Sequence, residues 1–169
     1  MQIIKKGEIV TSGWVHLPDA EPLPAERVDV TVSLPRFVAE QAALQTHPGR
    51  VGVRLRPDDD VEPQLAALLE LPLLAIEFPR FTDGRGYSLG RLLRERHGYR
   101  GELRAVGNVL RDQLFYMHRC GFDAFELQPG KSVTEALEAF AELSVRYQGA
   151  VDEPQPLFRR RFERTHDQG

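Results

Sequence analysis

The sequence predicts an α/β fold: repeated βα units forming a mostly parallel sheet with helices packed on it, plus a small N-terminal β appendage. Three observations predict it. Short apolar runs recur at 28–34, 51–55, 73–78, 102–106 and 124–127. Segments with helical spacing of apolar residues separate them. Proline, glycine and asparagine punctuate the boundaries. Strands alternating with helices imply right-handed parallel crossovers. Five such units favour an open three-layer sheet. Eight would be needed to close the common barrel, so a curved partial (βα) barrel is the alternative.

At 169 residues the chain is long enough for one domain with its own core. A net charge of −3 supplies no general basic field, so nucleic acid is not an expected partner. Cys120 is the single cysteine, which excludes an internal disulfide and any cysteine-only zinc or iron–sulfur site. No apolar run approaches the ~20 residues that span a bilayer, so no membrane segment is expected. The N-terminus MQIIKKGEIV lacks the apolar core of a signal peptide. A cytoplasmic protein is the expectation.

Residues 1–27 read as a β appendage and linker, 28–148 as the α/β domain, and 149–169 as an extended tail. Two short apolar runs flank Lys5-Lys6-Gly7, a turn, and Trp14 is an apolar anchor. Pro18, Pro22 and Pro24 mark a surface loop. VDVTVSL at 28–34 alternates as a strand should, and Pro35 suits the first turn of a helix. Val51, Val53 and Leu55 share one face of the next strand. Asp58-Asp59-Asp60 either caps the following helix or binds a hard cation; no fourth ligand or EF-hand spacing accompanies it, which favours capping. Residues 73–78 are almost continuously apolar, as in a strand covered on both faces. Glu77 is the exception, and pairs with an arginine or serves a site. A helix is expected over 88–97, ended by Gly98. Gly107 permits a tight turn, and Asn108 is expected to cap a helix over 109–120. Gly121 is a C-terminal signal for that helix. Ser132-Val133-Thr134-Glu135 matches a capping box that opens a last helix over 133–147.

In parallel α/β folds ligands bind beyond the carboxyl ends of the strands. Three loops there hold the polar groups: 80–87, 107–112 and 128–132. The candidate anion- or ligand-binding residues are Arg80, Asp83, Arg85, Tyr87, Asn108, Arg111, Asp112 and Lys131. Arg85, Arg111 and Lys131 converging with helix amides would hold phosphate, sulfate, sulfite or a carboxylate. The alternative is surface arginines paired with Asp83, Asp112 and Glu126. No dinucleotide fingerprint and no P-loop occurs, and no metal site is indicated. His16, His47, His97, His118 and His166 are scattered without ligand spacing, and Cys120 reads as a buried, inert thiol. Arg159-Arg160-Arg161 reads as a solvated or partner-binding tail.

The segments FPRFTDGRGYSLGRLLRER and GELRAVGNVLRDQLFYMHRCGFDAFEL carry a resemblance. They are similar to a bacterial family known as domain of unknown function nine-three-four, and the C-terminal helix fits it less specifically. The resemblance implies a cytoplasmic role in sulfur assimilation, as an oxidoreductase linked to sulfite reduction and encoded beside the sulfite reductase hemoprotein. It supplies no catalytic residues. Asn108 stands where the family is expected to have aspartate. A self-sufficient redox enzyme needs a cofactor. The chain has no cluster or siroheme cysteines and no nucleotide fingerprint, while a flavin remains open. The expectation is an accessory protein that binds a partner such as the hemoprotein, with a small anion. The alternative is a small oxidoreductase or other enzyme acting on an anionic sulfur substrate at the strand-end rim.

Overall fold

The computed structural model describes residues 1–79 and 84–150, with side chains described as far as residue 143. Among them eight strands form a single sheet: β1 (Gln2–Lys5), β2 (Glu8–Thr11), β3 (Val15–His16), β4 (Val30–Ser33), β5 (Val51–Leu55), β6 (Leu73–Phe78), β7 (Glu102–Gly107) and β8 (Ala124–Phe125). The α-helices are α1 (Leu34–Ala39), α2 (Gln41–Thr46), α3 (Leu65–Leu69), α4 (Arg85–Arg91), α5 (Leu114–Arg119) and α6 (Val133–Ala150). Residues 149 and 150, expected to open a tail, belong to α6, and the rest of the expected tail lies outside the described residues. Arg159, Arg160 and Arg161 lie outside the described residues.

Strands β3 to β8 are parallel and lie side by side in chain order. Right-handed crossovers between successive neighbours put the connecting helices on one face. Covered on that face only, the sheet curls into a half-barrel with helices outside. This selects the partial barrel over the open three-layer sheet. A doubly wound sheet requires the strand order to reverse, and here it does not.

The N-terminal strands expected as an appendage are members of this sheet. β1 pairs antiparallel with β8 through Ile4↔Phe125 and Lys5↔Ala124, and β2 forms the edge beyond it. β3 forms the opposite edge. Only residues 12–14 join these two edges, a link that reaches at most about 14 Å. A flat sheet of this strand number would hold its edges about 34 Å apart. The short link therefore requires strong curling. It crosses the face away from the helices, where Ser12 Oγ accepts from Arg104 Nη1 at 3.0 Å. Trp14 there packs on Leu73, Ala75 and Val106.

Strand alternation divides the buried residues between the faces. Val53, Leu74, Ile76, Leu103 and Ala105 join the main core beneath the helices. The other parity faces inward: Arg54, Ala75, Glu77, Arg104 and Val106.

Three local expectations change. Asn108 does not cap a helix: its backbone N–H donates to Phe78 O at 2.8 Å, and the helical segment starts as a 3₁₀ turn, Arg111–Gln113, after Leu110. Gly107 has φ +90°, and a Cβ there would sit 2.5 Å from Phe78 O. That close approach spends on the strand end the residues expected to open the helix. The Asp58–Asp60 triplet does not cap α3 either. Asp59 instead closes a turn by accepting from Arg56 N at 2.7 Å. The helix expected over 88–97 begins earlier, at Arg85, and ends in a π-helical turn, Leu92–Arg96. By contrast Pro35 lies in the first turn of α1, and Ser132 Oγ accepts from Glu135 N at the start of α6.

Candidate functional site

β6 and β7 run parallel from Leu73↔Glu102 to Phe78↔Gly107. The segments after them, carrying Arg85 and Asn108, therefore emerge at the same edge. Arg80 and Asp83 lie outside the described residues. Arg85 opens α4 on the surface. Arg111 and Asp112 are exposed and face each other at 3.8 Å. Lys131 is exposed, and its backbone N–H donates to Gln128 O. The amides of Asn108 and Val109, at the expected helix start, are occupied, Asn108 N by Phe78 O and Val109 N by Gly107 O.

Tyr87 has a packing role. Its ring meets Phe78 at 4.9 Å and Tyr116 at 4.9 Å between centroids. Burial, then the neighbouring Cys120 and Tyr116, raises its phenol above the usual value. The stack runs from the core, through Phe78, to Tyr116, which is 50% exposed. Arg91 Nη2 donates to Cys120 Sγ at 3.5 Å beside it. The result is an aromatic column with an exposed end and Arg91 of α4 beside it. Cys120 is buried, as expected.

A second group of polar side chains lies toward the carboxyl ends of β3 to β6, on the inward face. His16 sits beside Thr31 in register, and its Nδ1 is 3.1 Å from Thr31 Oγ1. Ser33 sits beside Arg54 in register. Ser33 Oγ donates to Asp19 Oδ1 at 2.7 Å, and accepts from Arg36 N as the cap of α1. Arg54 Nε donates to Glu77 Oε2 at 3.2 Å, so Glu77 takes the paired role foreseen for it. Desolvation by the surrounding protein, then the charge of Arg54, lowers His16 below 6.5; Glu77 and Asp19 act in the opposite sense. His16 nevertheless remains exposed to solvent.

Sequence reasoning left His16 among the scattered histidines and gave Asp19, Ser33 and Arg54 no site. Part of the signal was present. The alternations in 28–34 and 51–55 place Thr31, Ser33 and Arg54 on the face opposite the valines. What the sequence lacked was the position of β3, which brings His16 to that face.

Farther in, Arg104 is nearly fully buried. Its guanidinium meets Glu102 at 2.8 Å and Glu126 at 4.0 Å, and Lys5 meets Glu102 from β1 at 3.2 Å. These contacts bind β1, β7 and the residue after β8 into one ionic network. At the amino ends of the strands, an open groove of about 550 Å³ is lined by Gly13, Arg27, Val28, Asp29 and Arg50. Arg50 lies 4.9 Å from the Trp14 ring centroid, and its hydrogen bonds hold Asp29 below the usual carboxylate range. This groove is at the end of the sheet opposite to His16.

Residues 52–158 match the family model described as "Bacterial protein of unknown function (DUF934)". The chain belongs to this family. No curated protein matches it. The DUF934 segment begins within β5 and includes Arg54, Glu77 and the whole aromatic column. His16, Asp19, Thr31 and Ser33 precede it. The inward polar group of this DUF934 protein is therefore assembled from both the matched segment and the residues before it. No α-helix among the described residues is long and apolar enough to cross a membrane.

Proposed function

We propose that this DUF934 protein is an accessory protein of assimilatory sulfite reduction. In this role it binds a partner, such as the sulfite reductase hemoprotein, through the exposed end of the α4–α5 aromatic column. The tie to sulfite reduction rests on the resemblance of residues 78–125. One observation carries the partner-binding part: Tyr116 is half exposed while held in a stack that reaches the core. A rigid aromatic side chain with an arginine nearby, here Arg91, has the composition of a binding hot spot, because it loses little entropy on contact. Mixing the purified protein with the hemoprotein and following co-elution tests this. Co-elution that Tyr116→Ala abolishes is the expected result. Separate elution at tens of micromolar would remove the proposal.

The second reading is an enzyme acting on an anionic sulfur substrate at the strand-end rim. His16 beside Arg54 and Glu77 favours it, because a neutral imidazole near a guanidinium can move a proton at a bound anion. Turnover lost on His16→Ala, with folding intact, is its expected signature.

A further inference from the structure

We propose that His16, Asp19, Arg54 and Glu77 form a binding site for a small oxyanion that carries its own proton, such as hydrogenphosphate or hydrogensulfite. The site is separate from the α4–α5 surface, and partner binding there can fail without affecting it.

The argument begins with donors and acceptors. Arg54 holds Glu77 through Nε, which leaves its terminal nitrogens as charged donors toward a ligand. Glu77 uses Oε2 in that pair, and Asp19 uses Oδ1 on the Ser33 hydroxyl. Each carboxylate retains an oxygen that can only accept. His16 is fixed through Nδ1 by Thr31, so Nε2 is the nitrogen free to meet a ligand. Strand register brings the four groups together: His16 lies beside Thr31, and two residues on along β4 Ser33, which holds Asp19, lies beside Arg54, which holds Glu77. Ala75, the neighbour of Arg54 on β6, contributes only a methyl group to this face.

With His16 neutral the four groups sum to −1. A fully deprotonated oxyanion would satisfy Arg54 while confronting two carboxylates with nothing to donate. An oxyanion bearing O–H also accepts from Arg54, but donates to a carboxylate or to His16 Nε2. Its extra hydrogen bond is charge-assisted, and the bare anion suffers repulsion at the same place. Discrimination follows from the ligand's proton rather than from its size.

NMR of the full chain at pH 7 and constant ionic strength tests this, with the His16 ring protons observed during addition of phosphate, hydrogensulfite or sulfate. Saturable shifts with phosphate or hydrogensulfite, at least about tenfold tighter than any sulfate effect, are expected. A response to phosphate alone or to hydrogensulfite alone identifies the ligand within the class. Arg54→Gln should weaken binding at least about tenfold, and Arg54→Lys should recover part of it. Glu77→Gln should narrow the preference over sulfate. Circular dichroism establishes that each variant is folded. Sulfate binding as tightly as the protonated anions would overturn the acceptor argument. Absence of saturation with any of the three up to tens of millimolar would overturn the site.

Discussion

Replacing Arg94 with Met should cost about 3–5 kcal/mol of stability, in a pH-dependent way. Arg94 donates to three backbone carbonyls, Gly121 O through Nε and Tyr99 O and Gly101 O through Nη1, each at 2.8 Å. Its Nη2 lies 3.2 Å from Asp123 Oδ1, with both side chains only 14% exposed. One guanidinium thus joins the end of the α4 segment to both approaches to the parallel sheet. Breaking a buried pair costs about 3–5 kcal/mol, and partial exposure places this one near the lower end. The three carbonyls each lose a bond with a net value of about 0.5–1 kcal/mol, the lower part of the usual range, because water can replace the donor at this partly exposed place. The Met stem retains apolar contact with the Tyr99 region, offsetting about 1 kcal/mol.

Urea denaturation measures the effect. With a slope of about 2 kcal/mol/M the midpoint falls by about 2 M. The pH dependence gives an independent check. Burial raises Asp123 above its ordinary value, and Arg94 is the leading influence holding it down. A carboxyl raised in the folded state stabilises the fold below its unfolded pKa, and that contribution is lost as pH rises through the folded pKa. Removing Arg94 raises Asp123 further. The deficit of the variant should therefore be larger at pH 7 than at pH 4. A midpoint shift under about 0.5 M, or equal deficits at the two pH values, would refute the reasoning.

Other outcomes are equally specific. Gly90→Ala places a Cβ 2.5 Å from Phe122 Cε2 in the core, so overpacking of about 1–3 kcal/mol should match or exceed the gain of about 1 kcal/mol in helix propensity. Gly84→Ala, where the added Cβ meets open space, should leave the thermal midpoint nearly unchanged. Tyr116→Ala should lower the hemoprotein affinity about tenfold or more while costing under about 1 kcal/mol in stability; a large loss of stability with unchanged affinity would contradict the hot-spot argument. An NMR titration should find the His16 pKa below 6.5, and Arg54→Gln should raise it. Because folding favours neutral His16, its contribution is present above pH 6.5 and is lost as pH falls through the lowered folded pKa.

The sequence by itself determined seven of the eight strands, all but β3, and the parallel direction of the central five. Val32, Val53, Leu74 and Leu103 occupy the core face that alternation and apolar runs indicate, because burial selects strand residues locally. The pairing of Glu77 with an arginine was also legible, since a half-buried carboxylate is costly alone. Only the tertiary structure decided the curl and the site. Residues 1–16 carry no signal that β1 will pair with β8 while β3 pairs with β4 at the opposite edge. Those pairings depend on where the other strands finish. Asn108 is a sound helix cap in isolation, yet the close passage of Gly107 against Phe78 claims its amide. Of the charged groups around His16 only Asp19 is near it in sequence, and Arg54 and Glu77 are not. His16 becomes one of four charged or titratable neighbours only when strand order sets β3 on the inward face with Arg54 and Glu77. Local preferences act over a few residues, whereas strand order and the meeting of distant charges depend on packing of the whole chain.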